Sequence, residues 1–189
     1  MNLGKEIKTC LNVLKSGGII LYPADTMWGL GCDATNQEAI KKINRLKQRE
    51  ELKPLINLVE NDNQINKYVK SLPDVAWDLF DNAEDPLTLI LDIGMNLPEG
   101  AIAQNGNIAV RRIKNEFCEM LIRKLNRPLT STSANVHGTP APKSFEDIDP
   151  IILDGVDYVV NLQPAWGQNP KASTIIRLGN GGEIKIIRN

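Results

Sequence analysis

The first third of the chain alternates between helix-like and strand-like spacing of apolar residues. Ile7, Leu11 and Leu14 recur every three or four residues, and the pattern stops at two glycines, which predicts an N-terminal helix. The apolar run at 19–22, which a proline ends, is typical of a short buried strand. We therefore expect a helix, then a strand, and then a loop over 23–28.

A second helix is predicted by a capping pattern followed by an apolar stripe. Thr35 and Glu38 have the spacing of a capping box, in which two side chains reciprocally cap the start of a helix. Apolar residues over 39–46 supply the buried face of that helix. Residues 54–59 predict the strand that follows.

The remaining chain contains further helices and strands without a repeat or a long linker. Helical spacing recurs over 65–69, 75–80 and 117–125, and strand-like runs lie at 87–91, 108–110, 129–131, 158–160, 173–176 and 184–187. Several strands follow one another without a helix long enough for a parallel crossover, so we expect a mixed α/β sheet. The loop at 138–142, rich in glycine and proline, is expected to form a wall of a site.

Composition narrows the classes of protein that fit this pattern. The 189 residues suit a single domain over 1–189, and the formal net charge of −1 excludes a polybasic protein. Aromatic residues make up 5%, which leaves few platforms for stacking on single-stranded nucleic acid. Three widely spaced cysteines predict neither disulfides nor a zinc site. No apolar stretch approaches the roughly 20 residues that cross a bilayer, so we expect a cytoplasmic protein without membrane contact.

Some familiar catalytic and binding motifs are incomplete here. Residues 29–34 match the dinucleotide-binding fingerprint, but a loop separates them from the preceding strand. We interpret these glycines as easing a loop into a helix. The single histidine, His137, has no clustered metal ligands in the sequence, and no serine lies in a nucleophile elbow. We expect neither a transition-metal site nor acyl-enzyme chemistry.

Two short motifs combine cations with hydrogen-bonding groups. Lys47 and Arg49 lie two residues apart at the end of the second predicted helix. They converge on one anion if the chain leaves the helix at Lys47, and we expect both to be exposed there. Ser133 and Asn135 follow an apolar strand with the same spacing. Together the two pairs suit a polyphosphate, although cations at a helix end commonly only complement the helix dipole.

Five short blocks of sequence occur in one order along the chain. They are residues 17–30, Lys47-x-Arg49 with Lys53-Pro54-Leu55, Ala109-Val110-Arg111, residues 131–138, and Ser173-Thr174-Ile175-Ile176. In this order and spacing they resemble the YrdC-like threonylcarbamoyl-AMP synthase family, in its short form, over nearly the whole chain. The resemblance implies a twisted, open, mixed α/β sheet with flanking helices and a large, concave, positively lined cavity.

The resemblance also implies an activity. L-Threonine, bicarbonate and ATP, with Mg²⁺ accompanying the ATP, would give threonylcarbamoyl-AMP and pyrophosphate. Separate partner proteins would then use this adenylate to modify an adenosine in tRNA. Such chemistry depends on positioning and charge stabilisation and needs no protein nucleophile. Contact with tRNA or double-stranded RNA is a further expectation.

Individual residues receive roles from the same resemblance. The catalytic signature around the phosphates corresponds to Lys47, Arg49, Ser133 and Asn135. The ATP-binding positions are Arg49, Lys53, Asn107, Ser133 and Arg188, and the L-threonine-binding positions are Thr26, Arg111, Ser131 and Ser173. Arg111 suits the threonine carboxylate because a guanidinium pairs with a carboxylate through two hydrogen bonds. No side chain is assigned to a metal.

Four residues depart from the family's usual pattern, and two other functions stay open. The departures are Ala24, Trp28, Leu58 and Ala141, and they bear on the substrate pocket more than on nucleotide binding. One alternative is a double-stranded RNA or tRNA-binding module of the same fold, whose affinity would fall steeply with salt. The other is a carbamoyl-adenylate-forming factor of metalloenzyme maturation.

Overall fold

An open sheet of nine strands with six flanking helices forms the fold in the computed structural model, which describes residues 2–164 and 170–189. The strands are β1 (Ile20–Pro23), β2 (Trp28–Gly31), β3 (Ile56–Val59), β4 (Leu87–Leu91), β5 (Ile108–Arg112), β6 (Leu129–Ser133), β7 (Tyr158–Val159), β8 (Thr174–Leu178) and β9 (Ile184–Arg188). The helices are α1 (Leu3–Lys15), α2 (Gln37–Leu46), α3 (Asp62–Tyr68), α4 (Asp74–Asn82), α5 (Glu116–Leu125) and α6 (Pro150–Gly155). None of the helices in this part of the chain is long and apolar enough to cross a membrane.

The order of the strands confirms the predicted mixed sheet. Across the sheet the order is β7-β1-β2-β6-β3-β5-β4-β8-β9. The β1/β7, β3/β5 and β4/β8 pairs are parallel, and the other neighbours are antiparallel. Antiparallel neighbours need only short connections, which is why successive strands without an intervening helix fit this sheet.

The start of helix α2 lies one residue later than the capping pattern predicted. The N-cap is Asn36, whose side chain accepts a hydrogen bond from the backbone N–H of Ala39. Thr35 instead donates its hydroxyl to the carboxylate of Asp33, so the capping-box prediction was wrong. Asparagine is as good an N-cap as threonine or better. The apolar stripe over 39–46 packs into the core as expected.

Strand β2 lies where the glycines were interpreted as part of a loop, and that interpretation was wrong. Gly29 pairs with Tyr22 of β1. A Cβ on Gly31 would lie 2.8 Å from the Tyr22 ring and 2.7 Å from the carbonyl oxygen of Thr130. The glycines therefore make room for the Tyr22 ring, whose hydroxyl donates to Ser131. Glycine is poor in strands, and this hid the strand from the sequence pattern.

Helices cover the two faces of the sheet unequally. Neighbouring strand residues point to opposite faces. Tyr22 belongs to a core cluster with α1 and α5, whereas Leu21 packs with α2 and α6. On β3, Leu58 joins the α1 and α5 cluster, and Val59 packs with α3 and α4. One face thus carries four helices and the other carries two, which leaves part of the second face open.

A β-bulge in β9 decides which way Arg188 points. Ile186 and Arg188 pair with residues 176 and 175 of β8, so Ile187 is an extra residue between them. In a regular strand Ile186 and Arg188 would share a face. The bulge instead places Arg188 on the opposite face, where its guanidinium donates to the carbonyl of Ser173 at 3.0 and 2.8 Å.

Candidate functional site

A cavity of about 350 Å³ opens on the less covered face of the sheet. Seven of the predicted site residues line it, namely Thr26, Arg49, Arg111, Ser131, Ser133, Ser173 and Arg188. Strands β5, β6 and β9 contribute Arg111, the two β6 serines and Arg188. Ala141, from the loop predicted to form a wall, also lines the cavity. The fold thus gathers residues that lie far apart in the sequence.

The four departures from the family pattern lie in three different places. Ala24 and Ala141 line the cavity. Leu58 is buried in the core cluster of α1 and α5. Trp28 lies beside a larger cavity, about 750 Å³, where its ring contacts Phe145 edge-on. None of the predicted binding residues lines that larger cavity among the described residues, so the chemistry of the arginines belongs to the smaller one.

Three arginines give the smaller cavity its positive lining. Arg111 is paired with Asp25, with 3.1 Å between Nη2 and Oδ1. Within residues 2–164 and 170–189, no carboxylate lies at ion-pair distance from Arg49 or Arg188. Desolvation lowers the pKa of both, and for Arg188 the charge of Arg111 lowers it further. Cations that are desolvated and unpaired favour an anionic ligand.

Two of these guanidinium groups have a buried N–H without an acceptor. In the described part of the chain, Nε of Arg49 and Nε of Arg111 have no hydrogen-bond partner. Asp25 Oδ1 faces Arg111 but is not aligned for a hydrogen bond. A buried donor left unsatisfied costs about 1–3 kcal/mol. Anionic oxygens of a ligand would satisfy both groups.

Buried hydroxyl groups form the other polar part of the cavity. Ser131 accepts a hydrogen bond of 2.9 Å from the Tyr22 hydroxyl, so its own hydrogen remains available to a ligand. The hydroxyl of Ser173 lies 2.9 Å from that of Thr88 and accepts from Arg188 at 3.2 Å. Sequence reasoning assigned no role to Tyr22 or Thr88. Their signal was a polar side chain inside an otherwise apolar strand.

Two further residues that were not predicted hold Arg49 in place. Its guanidinium donates to Asn44 Oδ1 at 3.0 Å and to the Thr132 hydroxyl at 3.3 Å. Asn44 Oδ1 also accepts from the backbone N–H of Lys53 at 3.2 Å. Gln48 has a φ of 54°, so the chain turns sharply just before Arg49. The sequence signal for Asn44 was its position beside the apolar stripe of α2.

Lys47 lies beneath the cavity and not on its surface. The chain does leave α2 at Lys47, as predicted, but the residue is 2% exposed, so the expectation of an exposed side chain was wrong. Its ammonium donates to the carbonyls of Ser133 and Asn135, both at 2.5 Å, and to Asn135 Oδ1 at 3.2 Å. Burial, with a contribution from Arg49, lowers the pKa of Lys47 to about 7, while the three oxygens favour its charged form.

The Asn135 side chain belongs to the turn after β6 and does not line the cavity. Its Oδ1 accepts from the Ser133 hydroxyl at 2.5 Å. Its Nδ2 donates to the carbonyl of Val136 at 3.0 Å and to that of Thr139 at 2.6 Å. Asn135 therefore organises the turn from which Ser133 reaches the cavity.

Lys53 and Asn107 also lie outside the cavity lining. Lys53 is exposed, and its Nζ lies 2.9 Å from Nε2 of His137. The charge of Lys53 is the largest cause that lowers the pKa of His137, and burial and Arg49 contribute. Asn107 precedes β5, four residues before Arg111, which is about 13 Å along an extended chain.

Comparisons with known proteins agree with this fold and cavity. The sequence profile of the Sua5_yciO_yrdC family, described as "Telomere recombination", matches residues 12–189. The threonylcarbamoyl-AMP synthase of Pseudoalteromonas translucida is 33% identical over 178 residues, which cover 93% of this chain and 94% of that protein. The synthase of Marinobacter nauticus is 32% identical, with 90% of each chain covered.

Solved structures give the same result at the level of the fold. The crystal structure of P. abyssi Sua5 complexed with L-threonine matches with a TM-score of 0.80 and 25% identity, over 94% of this chain and 52% of that chain. This chain thus spans about half the length of that Sua5. E. coli YciO, 23% identical, has the same fold with a TM-score of 0.82. Together with the profile match, these similarities place the chain in the Sua5/YciO/YrdC family.

Proposed function

We propose that this protein is a threonylcarbamoyl-AMP synthase, which joins L-threonine, bicarbonate and ATP and releases pyrophosphate. The observation that carries the proposal is the convergence of three arginines on one cavity. Two of them have a buried N–H for which the described ranges 2–164 and 170–189 supply no acceptor. The proposal is supported by two relatives that carry this name and are about a third identical over nearly their full length.

The threonine is proposed to lie against Arg111. Its buried guanidinium can hold the carboxylate through parallel hydrogen bonds, and the unsatisfied Nε is one of the donors available. Thr26, Ser131 and Ser173 line the same cavity and offer hydroxyl groups to the amine and the hydroxyl of the amino acid. A relative of this fold, P. abyssi Sua5, has been solved as a complex with L-threonine.

The nucleotide is proposed to bind through Arg49, Ser133 and Arg188, which line the cavity together. Ser133 would contribute its oxygen as an acceptor, because its hydrogen is donated to Asn135. Lys53 is proposed as a further cation for the phosphates, since its exposed ammonium needs only to exchange its contact with His137. Asn107, at the far end of β5 from Arg111, is proposed to contact a part of the nucleotide away from the phosphates. Asn135 acts on this site through the turn that carries Ser133.

The proposed reaction requires no protein nucleophile. The amine of threonine attacks the carbon of bicarbonate, water leaves, and a carbamate forms. A carbamate oxygen then attacks the α-phosphorus of ATP, and the bond to the bridging oxygen breaks, so pyrophosphate departs with its electron pair. Negative charge grows on the phosphoryl oxygens, where preorganised arginines stabilise it.

Mg²⁺ is proposed to enter as the partner of ATP. When bound it would neutralise part of the phosphate charge. In the described part of the chain, no group of three or more His, Cys, Asp and Glu side chains could hold a metal ion, and Asp25 is paired with Arg111. Mg²⁺ commonly keeps several waters and binds substrate phosphates, so phosphates and water are its proposed ligands here.

The two alternative functions have less support. A module for double-stranded RNA needs an extended basic surface. Arg49 and Arg188, which have no carboxylate partner in the part of the chain that the structure describes, instead line a cavity of small-molecule size. The other alternative, a carbamoyl-adenylate-forming factor, would share this fold, and the likeness to T. kodakarensis HypF, at 20% identity, also concerns the fold alone.

We further propose that separate proteins take up the reactive adenylate for the modification of tRNA.

Threonine dependence tests the proposed function. Purified protein with ATP, Mg²⁺ and bicarbonate is expected to release pyrophosphate when L-threonine is added, and to release only background amounts with glycine in its place. A coupled pyrophosphate assay measures both rates, and mass spectrometry identifies the adenylate. Release that is the same with and without threonine would contradict the proposal.

A further inference from the structure

A lysine of the predicted phosphate-binding motif has all of its hydrogen-bond donors occupied by the protein. An ammonium group has three N–H donors. Those of Lys47 meet three oxygens, namely the carbonyls of Ser133 and Asn135 and the side-chain oxygen of Asn135. The residue is 2% exposed and does not line the cavity. A phosphate oxygen could be bound only after one of these hydrogen bonds had broken.

The same contacts fix the turn from which Ser133 reaches the cavity. Asn135 Oδ1 accepts hydrogen bonds from both Lys47 and the Ser133 hydroxyl. At the other end of the lysine, its backbone carbonyl accepts from the N–H of His137 at 2.8 Å. Lys47 is therefore joined to the segment 133–137 by its side chain and by its backbone.

We infer that Lys47 is a positioning residue that acts on the substrate through Ser133, and that it is not a ligand of the phosphates. The inference rests on the proposed function, because Ser133 meets a nucleotide only if the cavity binds ATP. The lysine also places a positive charge beneath the cavity, and no carboxylate lies at ion-pair distance from it among the described residues.

Two substitutions separate positioning from direct binding. Lys47→Arg keeps a cation that would serve a phosphate well, but a planar guanidinium cannot replace a tetrahedral ammonium among three oxygens in a closed site. Lys47→Met keeps an unbranched side chain that is one atom shorter, and it removes all three hydrogen bonds. Lys124→Met is the matched control, because Lys124 lies in the last turn of α5 and is exposed.

Turnover and hydrogen exchange are the measurements. We expect kcat for threonine-dependent pyrophosphate release to fall about 100-fold in both Lys47 variants, a loss typical of a reacting group misplaced by about 1 Å. The KM for ATP should stay within about threefold, since the proposed phosphate contacts of Arg49 and Arg188 do not depend on the turn at Ser133. In the unliganded protein, hydrogen exchange of the backbone amides of 133–139 should be faster in Lys47→Met than in the wild type. In Lys124→Met the exchange rates should equal those of the wild type.

A measurement on the wild-type protein covers the case in which both Lys47 variants fail to fold. With ¹⁵N-labelled lysine and arginine, inorganic tripolyphosphate should shift the Nε resonance of Arg49 and leave the Nζ resonance of Lys47 in place. A Lys47 resonance that shifts as much as that of Arg49 would overturn the inference. Near-normal turnover in Lys47→Arg would overturn it as well. So would a Lys47→Met variant that has a raised KM for ATP but normal hydrogen exchange over 133–139.

Failure of the proposed function gives a different result. The wild-type protein would then release no pyrophosphate in response to threonine, whatever the variants do. Exchange over 133–139 and the tripolyphosphate titration would still decide whether Lys47 holds the turn or binds phosphate.

Discussion

Arg111 and Arg49 are both desolvated cations in the wall of one cavity, but the protein balances their charges differently. Arg111 faces the carboxylate of Asp25, so the charges around it nearly cancel. Among the residues that the structure describes, the guanidinium of Arg49 is held only by the neutral groups of Asn44 and Thr132. The first arrangement suits a zwitterion such as an amino acid, whose own charges sum to zero. The second suits a polyanion, which must bring the missing negative charge itself.

Removing Arg49 should cause the largest loss. Arg49→Met is expected to lower kcat/KM for ATP about 100- to 1,000-fold, the cost of deleting one preorganised donor to a developing negative charge. The KM for threonine should change little, because Arg111 and the serines remain. Steady-state pyrophosphate assays with each substrate varied measure both effects.

The control for this variant is Arg45→Met, since Arg45 lies in the last turn of α2 and is exposed. It should behave as the wild type. If Arg49→Met changed the KM for threonine and left that for ATP unaltered, the assignment of Arg49 to the polyanion would be wrong.

Removing the carboxylate beside Arg111 should leave the region around it with an unbalanced positive charge, as in the region around Arg49. Asp25→Asn leaves a buried guanidinium unpaired, and we expect the free energy of unfolding to fall by about 3 kcal/mol. Urea unfolding measures this loss, and inorganic phosphate should restore more stability to the variant than to the wild type. Equal effects of phosphate on both proteins would contradict the charge balance described here.

Changing Arg111 itself should affect the other substrate. Arg111→Lys keeps the charge but loses the planar fork, so the KM for threonine is expected to rise about 10- to 30-fold. Isothermal titration with L-threonine provides a check that does not depend on turnover. An unchanged affinity for threonine, together with a weakened affinity for ATP, would mean that the roles of the two arginines are assigned the wrong way round.

The smallest expected effect is a shift in the titration of His137, the one histidine of the chain. The charge of Lys53 lowers its pKa most, and burial, Arg49 and Lys47 lower it further. Tripolyphosphate should raise that pKa, because the anion offsets the neighbouring cations, and Lys53→Gln should raise it as well. NMR titration of the imidazole measures these shifts. A pKa that tripolyphosphate lowered would place the polyanion elsewhere.

The elements with clear periodicity were predictable, and the exceptions have identifiable causes. Helix α6 was missed because it has only six residues. Its signal was nevertheless present, since Asp149 caps the helix and a proline occupies its first turn. Strand β2 was missed because its glycines make room for the Tyr22 ring, and that ring lies on a different strand.

Of the cavity, sequence reasoning could predict only residues that line it. The arginines and serines followed from short motifs and from a family resemblance. The residues that hold them did not, because contacts such as the one from Tyr22 to Ser131 join positions 109 apart in the chain. Burial of Lys47 depends on how the chain turns after α2, which a helical repeat does not specify.

The bulge in β9 also bears on association between molecules. β9 lies at the edge of the sheet and exposes Ile184, Ile186 and Ile187. An apolar edge strand is a template on which the strand of another chain can pair, and an irregular backbone interrupts such pairing. The single extra residue that turns Arg188 toward the cavity therefore also makes the edge of the sheet a poorer surface for aggregation.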